Sequence, residues 1–188
     1  MSERVHRRRW LLCLLLAILW PAVAFARNIT VESVASRVED GRFIVDARLD
    51  VKLNPNTSEA LENGITLQFE LESRLLRPRR FWWDAQVTTT KRRFLLARHA
   101  LADGYTLTGP DAEHQQTFKD VGAALAALGD VQGFVADDAI SEQPAKQYRG
   151  RLRLRLDIEA LPAPLRPIAY ISPGWRLSSG WYEWVFVP

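Results

Sequence analysis

Apolar and polar residues alternate with a period of two along the first part of the chain. Phe43, Val45, Ala47, Leu49, Val51 and Leu53 take the odd positions, with Arg42, Asp46, Arg48, Asp50 and Lys52 among the residues between them. Ile65, Leu67, Phe69, Leu71 and Leu75 repeat the arrangement against Thr66, Gln68, Glu70, Glu72 and Arg74. Successive side chains of a strand point to opposite faces, so both segments read as strands with one buried and one wetted face. Wetting on one side favours antiparallel sheets. Asp40-Gly41 separates the apolar run 29–38 from the strand beginning at Arg42, and this dipeptide predicts a hairpin over residues 29–53. Between the strands, Asn56 with Glu59 supplies a helix start and Asn63-Gly64 a stop, which predicts a helix of one or two turns.

Beyond Pro78, residues 82–90 and 94–101 are rich in aromatic, threonine and aliphatic residues and read as one long, bulged strand or as two. Asp103-Gly104 turns the chain into Tyr105-Thr106-Leu107-Thr108. A second helix follows: Thr117 with Asp120 suits a cap, Phe118, Val121, Leu125 and Leu128 share a face, and Gly129 is a stop. Residues 131–136 form a short strand, and 137–147 a polar loop. Leu152, Leu154, Leu156 and Ile158 alternate with Arg151, Arg153, Arg155, Asp157 and Glu159 in the strongest strand pattern of the chain. Pro162, Pro164 and Pro167 mark an extended crossing, and residues 182–187 an aromatic final strand. The expected class is mainly β (α+β): an antiparallel β-sandwich-like domain with two short inserted helices.

The opening residues alter the electrostatic picture. Arg4, Arg7, Arg8 and Arg9 precede the apolar stretch 10–23, which closes on Ala24-Phe25-Ala26. This is the pattern of a signal peptide over residues 1–26, with Arg27 starting a single β-rich domain, 27–188. An uncleaved anchor is the other reading, although the run is shorter than the roughly 20 residues a bilayer span needs. Cleavage predicts a periplasmic protein with no stable membrane span. The pI of 9.3 belongs largely to this leader: of the 25 basic and 22 acidic residues, four arginines and Glu3 lie in it, so the rest is formally neutral. Neutrality argues against a nucleic-acid partner. The one cysteine, Cys13, also lies in the leader, so the remaining domain has no disulfide, thiol nucleophile or thiolate metal site.

The candidate chemistry is sparse. His99 and His114 stand outside any metal-ligand spacing, and H-E-x-x-H, G-x-S-x-G and phosphate-cradling glycine loops are all missing. Asp137-Asp138 is an acid pair, but adjacent strand residues face opposite ways, so a loop role suits it better than general acid-base work. No catalytic residue, metal ligand or cofactor is expected from the sequence. The segment 74–83 joins Arg74, Arg77, Arg79 and Arg80 to Phe81, Trp82 and Trp83. Guanidinium and indole groups could engage an anionic glycan, a phospholipid headgroup or an acidic partner; equally, arginines could cover the edges of packed tryptophans.

Arg151, Arg153 and Arg155 project from one strand face as a basic ladder, which Glu70 and Glu72, or Asp46 and Asp50, could neutralise across the sheet. If they do, the ladder is scaffold; otherwise an open basic strip is left for an acidic ligand. Trp175, Trp181 and Trp184 with Tyr182 and Phe186 crowd the last residues, and alternation puts Trp181 on the face opposite Tyr182 and Trp184. The candidate binding residues are therefore Arg79, Arg80, Trp82, Trp83, Trp175 and Trp181.

The string 79–84 (Arg-Arg-Phe-Trp-Trp-Asp), the block from Tyr148 through Leu161-Pro162 to Leu165, and the ending Trp175-x-Leu177-Ser178-Ser179-x-Trp181 resemble an uncharacterised proteobacterial exported family, domain of unknown function 4390, also labelled proline-rich signal peptide protein. The resemblance spans most of residues 29–187 and implies no reaction and no catalytic residue. Genes of this family often neighbour a membrane sensor kinase pair, so it implies an envelope signalling partner. Taken together, these readings predict a non-enzymatic interaction or accessory module of the cell envelope, with an envelope protein, a glycan or an acidic ligand as partner. The alternative is an envelope glycan-binding protein or hydrolase, which needs a tryptophan-lined pocket with two convergent carboxylates.

Overall fold

The hairpin turn between the first two strands shows how local sequence sets this architecture. Asp40 and Gly41 both have positive φ, 51° and 73°, as a two-residue turn matched to strand twist requires. They join β1 (Ile29–Glu39) to β2 (Arg42–Val51) in the antiparallel computed structural model, with Glu39 opposite Arg42. The structure describes residues 28–78, 84–99, 103–110, 115–137 and 147–187. In β2 the odd-numbered apolar set is buried as the alternation predicts. β1 lacks so clean a pattern because a bulge between Val31 and Ser33 shifts its register. One extra residue turns the inward set from odd to even positions, so that Val34 and Val38 face the core beside Ile29 and Val31.

Helix α1 (Pro55–Glu62) begins two residues earlier than the Asn56 signal implies. Asn54 is the cap, its side-chain oxygen accepting from the Thr57 backbone N–H while the Thr57 hydroxyl accepts from the Asn54 N–H. Strand β3 (Leu67–Arg77) pairs with β4 (Ala85–His99), a single fifteen-residue strand whose register against β3 shifts between Leu75 and Leu76. β5 (Gly104–Thr108) continues the sheet.

Two sequence expectations are corrected. Thr117 and Phe118 belong to an additional strand, β6 (Gln115–Phe118), with Phe118 opposite Tyr105. Helix α2 (Val121–Gly129) starts only after Asp120, whose carboxylate accepts from the Ala123 N–H at 2.8 Å; a nearer cap outcompeted the Thr117 signal. The proline-rich stretch is likewise no extended crossing. It contains α3 (Arg166–Ile171), with Pro167 in the first turn, where a missing N–H costs nothing. The two inserted helices are thus joined by a third. Strand β7 (Asp130–Asp137) follows α2 directly, and β8 (Tyr148–Leu156) and β9 (Tyr182–Phe186) complete the set.

The strands form two antiparallel sheets, ordered β1-β2-β7 and β6-β5-β4-β3-β8-β9, in a mainly β, sandwich-like α+β fold. One continuous apolar cluster joins Phe43, Val45 and Phe134 of the smaller sheet to Phe69, Leu71 and Leu154 of the larger. The sheets also meet through polar and aromatic contacts. The Thr90 hydroxyl donates to the Ala136 carbonyl at 2.6 Å, Phe43 stacks on Phe186 with centroids 4.5 Å apart, and the Trp184 indole N–H donates to Ser36 at 3.0 Å. Two glycines permit close approaches of another kind, α2 on β2 and the Trp184 ring over β8. A Cβ on Gly129 would lie 2.1 Å from the Leu49 carbonyl oxygen, and one on Gly150 would lie 2.4 Å from the Trp184 ring.

Candidate functional site

Two surfaces concentrate the chemistry. The first is the outer face of the six-stranded sheet. Because β3 pairs with β8 in the register Glu70↔Arg155, Glu72↔Arg153 and Arg74↔Arg151, the acidic positions of one strand meet the arginine ladder of the other. Glu70 accepts from Arg155 Nη2 at 2.7 Å and lies 3.1 Å from Lys91 Nζ on β4. Glu72 accepts from Arg153 Nη2 at 2.6 Å and from Arg74 Nε at 2.8 Å. Arg151 pairs with Glu183 at 2.7 Å, and Arg149 with Asp84 at 2.9 Å. Glu70 and Glu72, the first of the two pairs of acids foreseen for the ladder, thus take Arg155 and Arg153, while Arg151 is met by Glu183, which was not foreseen. Asp46 instead belongs to the other sheet, where it accepts from the Gly133 N–H at 2.6 Å and from Arg37.

This face departs from the expected wet side of β3. Glu70 and Glu72 are only 3% and 1% exposed, because long cationic side chains cover them: Lys91 of β4 and Arg155 of β8 over Glu70, Arg153 of β8 and Arg74 of the same strand over Glu72. Burial by itself would raise their carboxyl pKa values; hydrogen bonds from Arg155 and Lys91 to Glu70, and from Arg153 and Arg74 to Glu72, outweigh it and hold both below the ordinary range. The Arg155 guanidinium is correspondingly raised by its bond to Glu70. Trp181 packs here, its ring 4.3 Å from the Arg153 guanidinium carbon and 4.5 Å from that of Arg74. Its indole is half-buried and serves as a platform for two arginines.

The second surface surrounds α3. Trp175, a candidate binding residue, is 6% exposed and belongs to the apolar core together with Leu177, Leu165 and Ala169. It is an anchor rather than an exposed stacking ring, and it lines a groove of about 390 Å³ between α1 and the residues flanking α3, together with Asn56, Glu59, Asn63, Ile65 and Leu165. Around this anchor the helix turns its large side chains outward: Ile168, Tyr170 and Ile171 are 53%, 51% and 81% exposed. Sequence reasoning missed them because the prolines were read as extended chain. The readable signal was Pro167 just inside a helix start, a short apolar run, and Ser172-Pro173 as a stop.

A wider cavity of about 700 Å³ lies between β2 and α2. Leu49, Val51, Leu53 and Leu125 line it, with Glu32, Asp50, Lys52 and Asp130 among the residues around them. Of the remaining sequence candidates, Arg79, Arg80, Trp82 and Trp83 lie outside the described residues, as do His114 and Asp138. Among the described residues, the structure brings Trp181 to the ionic face and Trp175 to the core beneath α3. The two do not share a site.

The family model described as Domain of unknown function (DUF4390) matches residues 26–185. The chain belongs to this family. The match covers both surfaces and nearly every described residue. No curated protein and no solved structure matches the chain. Among the described residues, no helix is long and apolar enough to cross a membrane.

Proposed function

We propose that this DUF4390 protein is an exported, non-enzymatic interaction module of the cell envelope that docks on another envelope component through α3. The observation that carries the reading is the outward set Ile168, Tyr170 and Ile171, held by a buried anchor at Ala169 and Trp175. Water disfavours a cluster of large apolar side chains on a firmly packed turn, and covering them is the common use of such a patch. Export rests on the leader pattern, with Arg27 as the first residue after cleavage and the periplasm as destination. The family's gene neighbourhood directs the search for a protein partner to membrane sensor kinases.

The other reading, an envelope glycan-binding protein or hydrolase, asks for aromatic rings and paired carboxylates in one pocket. In the described cavities these are divided: the groove over Trp175 has Glu59 as its one carboxylate, while the larger cavity has Glu32, Asp50 and Asp130 without an aromatic ring. Photo-crosslinking in cells tests the docking reading, with the reactive group placed at 168 or 171 and, as a control, at exposed Lys119. Adducts specific to 168 and 171 are expected, together with fractionation of the leader-free chain outside the cytoplasm. An intact leader-bearing chain in the cytosol, or identical adducts at all three positions, would sink the proposal.

A further inference from the structure

The charge around α3 narrows the class of docking partner. From Ala160 to Tyr182 the chain carries no aspartate or glutamate, whereas Arg166 and Arg176 bracket the exposed isoleucines and tyrosine. Neither arginine forms a carboxylate pair among the described residues. Arg166 Nε donates to the Leu161 carbonyl at 2.8 Å, and Arg176 Nη2 to the Tyr170 carbonyl at 2.9 Å. These bonds hold the two guanidiniums at opposite ends of the helix and leave their charges uncancelled, in contrast to the arginines on the sheet face. Glu159 and Glu59 are the nearest acids along the chain and across the groove.

Resting on the docking reading above, we infer that α3 seats on an anionic phospholipid surface. A short turn presenting isoleucine and tyrosine between two arginines has the chemistry of an interfacial anchor. The aliphatic chains enter the headgroup and acyl boundary, the tyrosine ring rests at the interface, and the arginines reach out to phosphates. A single six-residue helix buries little apolar area, so the contact is reversible and depends on both parts. The cationic segment, with no acid from Ala160 to Tyr182, suits a negatively charged plane, and because the chain beyond the leader is formally neutral as a whole, the attraction is local to this face.

The test uses the exported, leader-free chain, which has no cysteine of its own, carrying Ile171→Cys labelled with an environment-sensitive fluorophore, and a matched chain labelled at Lys119→Cys. Vesicles of phosphatidylethanolamine with phosphatidylglycerol are compared with neutral phosphatidylcholine. The expected result is a blue shift and quenching by spin-labelled lipid at 171 but not at 119, on anionic vesicles only. Arg166→Gln or Arg176→Gln should each weaken the response about fivefold, the usual contribution of one basic side chain near an anionic surface. Ile168→Ser should weaken it further while leaving the thermal midpoint unchanged. A label at 171 that stays in water, one that responds equally on neutral vesicles, or one that matches the label at 119 would overturn the lipid assignment. If 171 stays in water on vesicles yet crosslinks specifically to a protein in cells, the lipid inference fails and the docking reading stands; if neither occurs, both fail.

Discussion

The outer face of the large sheet and the exposed turn of α3 reverse the ordinary distribution of side chains. On the sheet, two glutamates are almost fully covered; on the helix, two isoleucines and a tyrosine face water. The difference lies in what each set can find nearby. Glu70 and Glu72 sit on the central strand, and the register of β3 with β8 supplies a cation opposite each, with Lys91 and Arg74 as second partners. Their burial is matched by charge-assisted hydrogen bonds. Ile168 and Ile171 sit on a turn that only Ala169 anchors inward, and no element of the described chain lies over them. A satisfied buried charge is scaffold, whereas an unsatisfied exposed apolar side chain points to a partner.

The largest effect should come from breaking the ionic face. Glu72→Ala leaves Arg74 and Arg153 without their shared acceptor, and loss of about 2–3 kcal/mol is expected in denaturant unfolding. This lies below the roughly 3–5 kcal/mol of a broken, fully buried pair, because both arginines retain some solvent. An unchanged midpoint would make the lattice ornamental. Acid should reproduce the effect. Both glutamates have folded pKa values below their unfolded value of about 4.3, so their stabilisation is complete above that pH and is lost as pH falls through the folded values. Thermal midpoints of wild type and a Glu70→Gln, Glu72→Gln variant should thus differ at pH 7 and converge as the pH falls through the lowered folded values.

Removing the platform is a smaller perturbation. Trp181→Ala deletes two cation-π contacts on a half-buried ring, for which about 1–2 kcal/mol is expected; Trp181→Phe should recover part of it. Smallest of all for stability is Ile171→Ser, which should fall within about 0.5 kcal/mol of wild type because the side chain touches mostly water. Its expected consequence is lost docking at unchanged stability. If this substitution unfolded the chain while Glu72→Ala did not, the contrast between the two surfaces would be the wrong way round.

Much of the fold was legible. The alternation in β2, β3 and β8, the Asp40-Gly41 turn and the last strand are local patterns, and a period-two pattern carries its own burial instructions. Three features escaped local reading. β6 was hidden because Thr117 competes with Asp120 as a helix cap. α3 was hidden because proline signals both a strand's end and a helix's first turn. The bulge in β1 was hidden because one extra residue scrambles the alternation on which strand reading depends. Of the candidate site, the arginine ladder was legible, with Glu70 and Glu72 as one of two acid pairs that could meet it, and Trp181 could be assigned to the face opposite Trp184.

By itself, then, the sequence determined most of the strands, the hairpin, the antiparallel mainly β class and the family, because these depend on residues close in the chain or on the whole pattern of the chain. Only the tertiary structure decided which charges became buried, that Trp175 is an anchor, and that Ile168, Tyr170 and Ile171 face outward. Exposure depends on what distant segments bring alongside. The register between β3 and β8, separated by more than seventy residues, places cations over Glu70 and Glu72, and no local pattern encodes that nothing in the described chain comes to rest over α3.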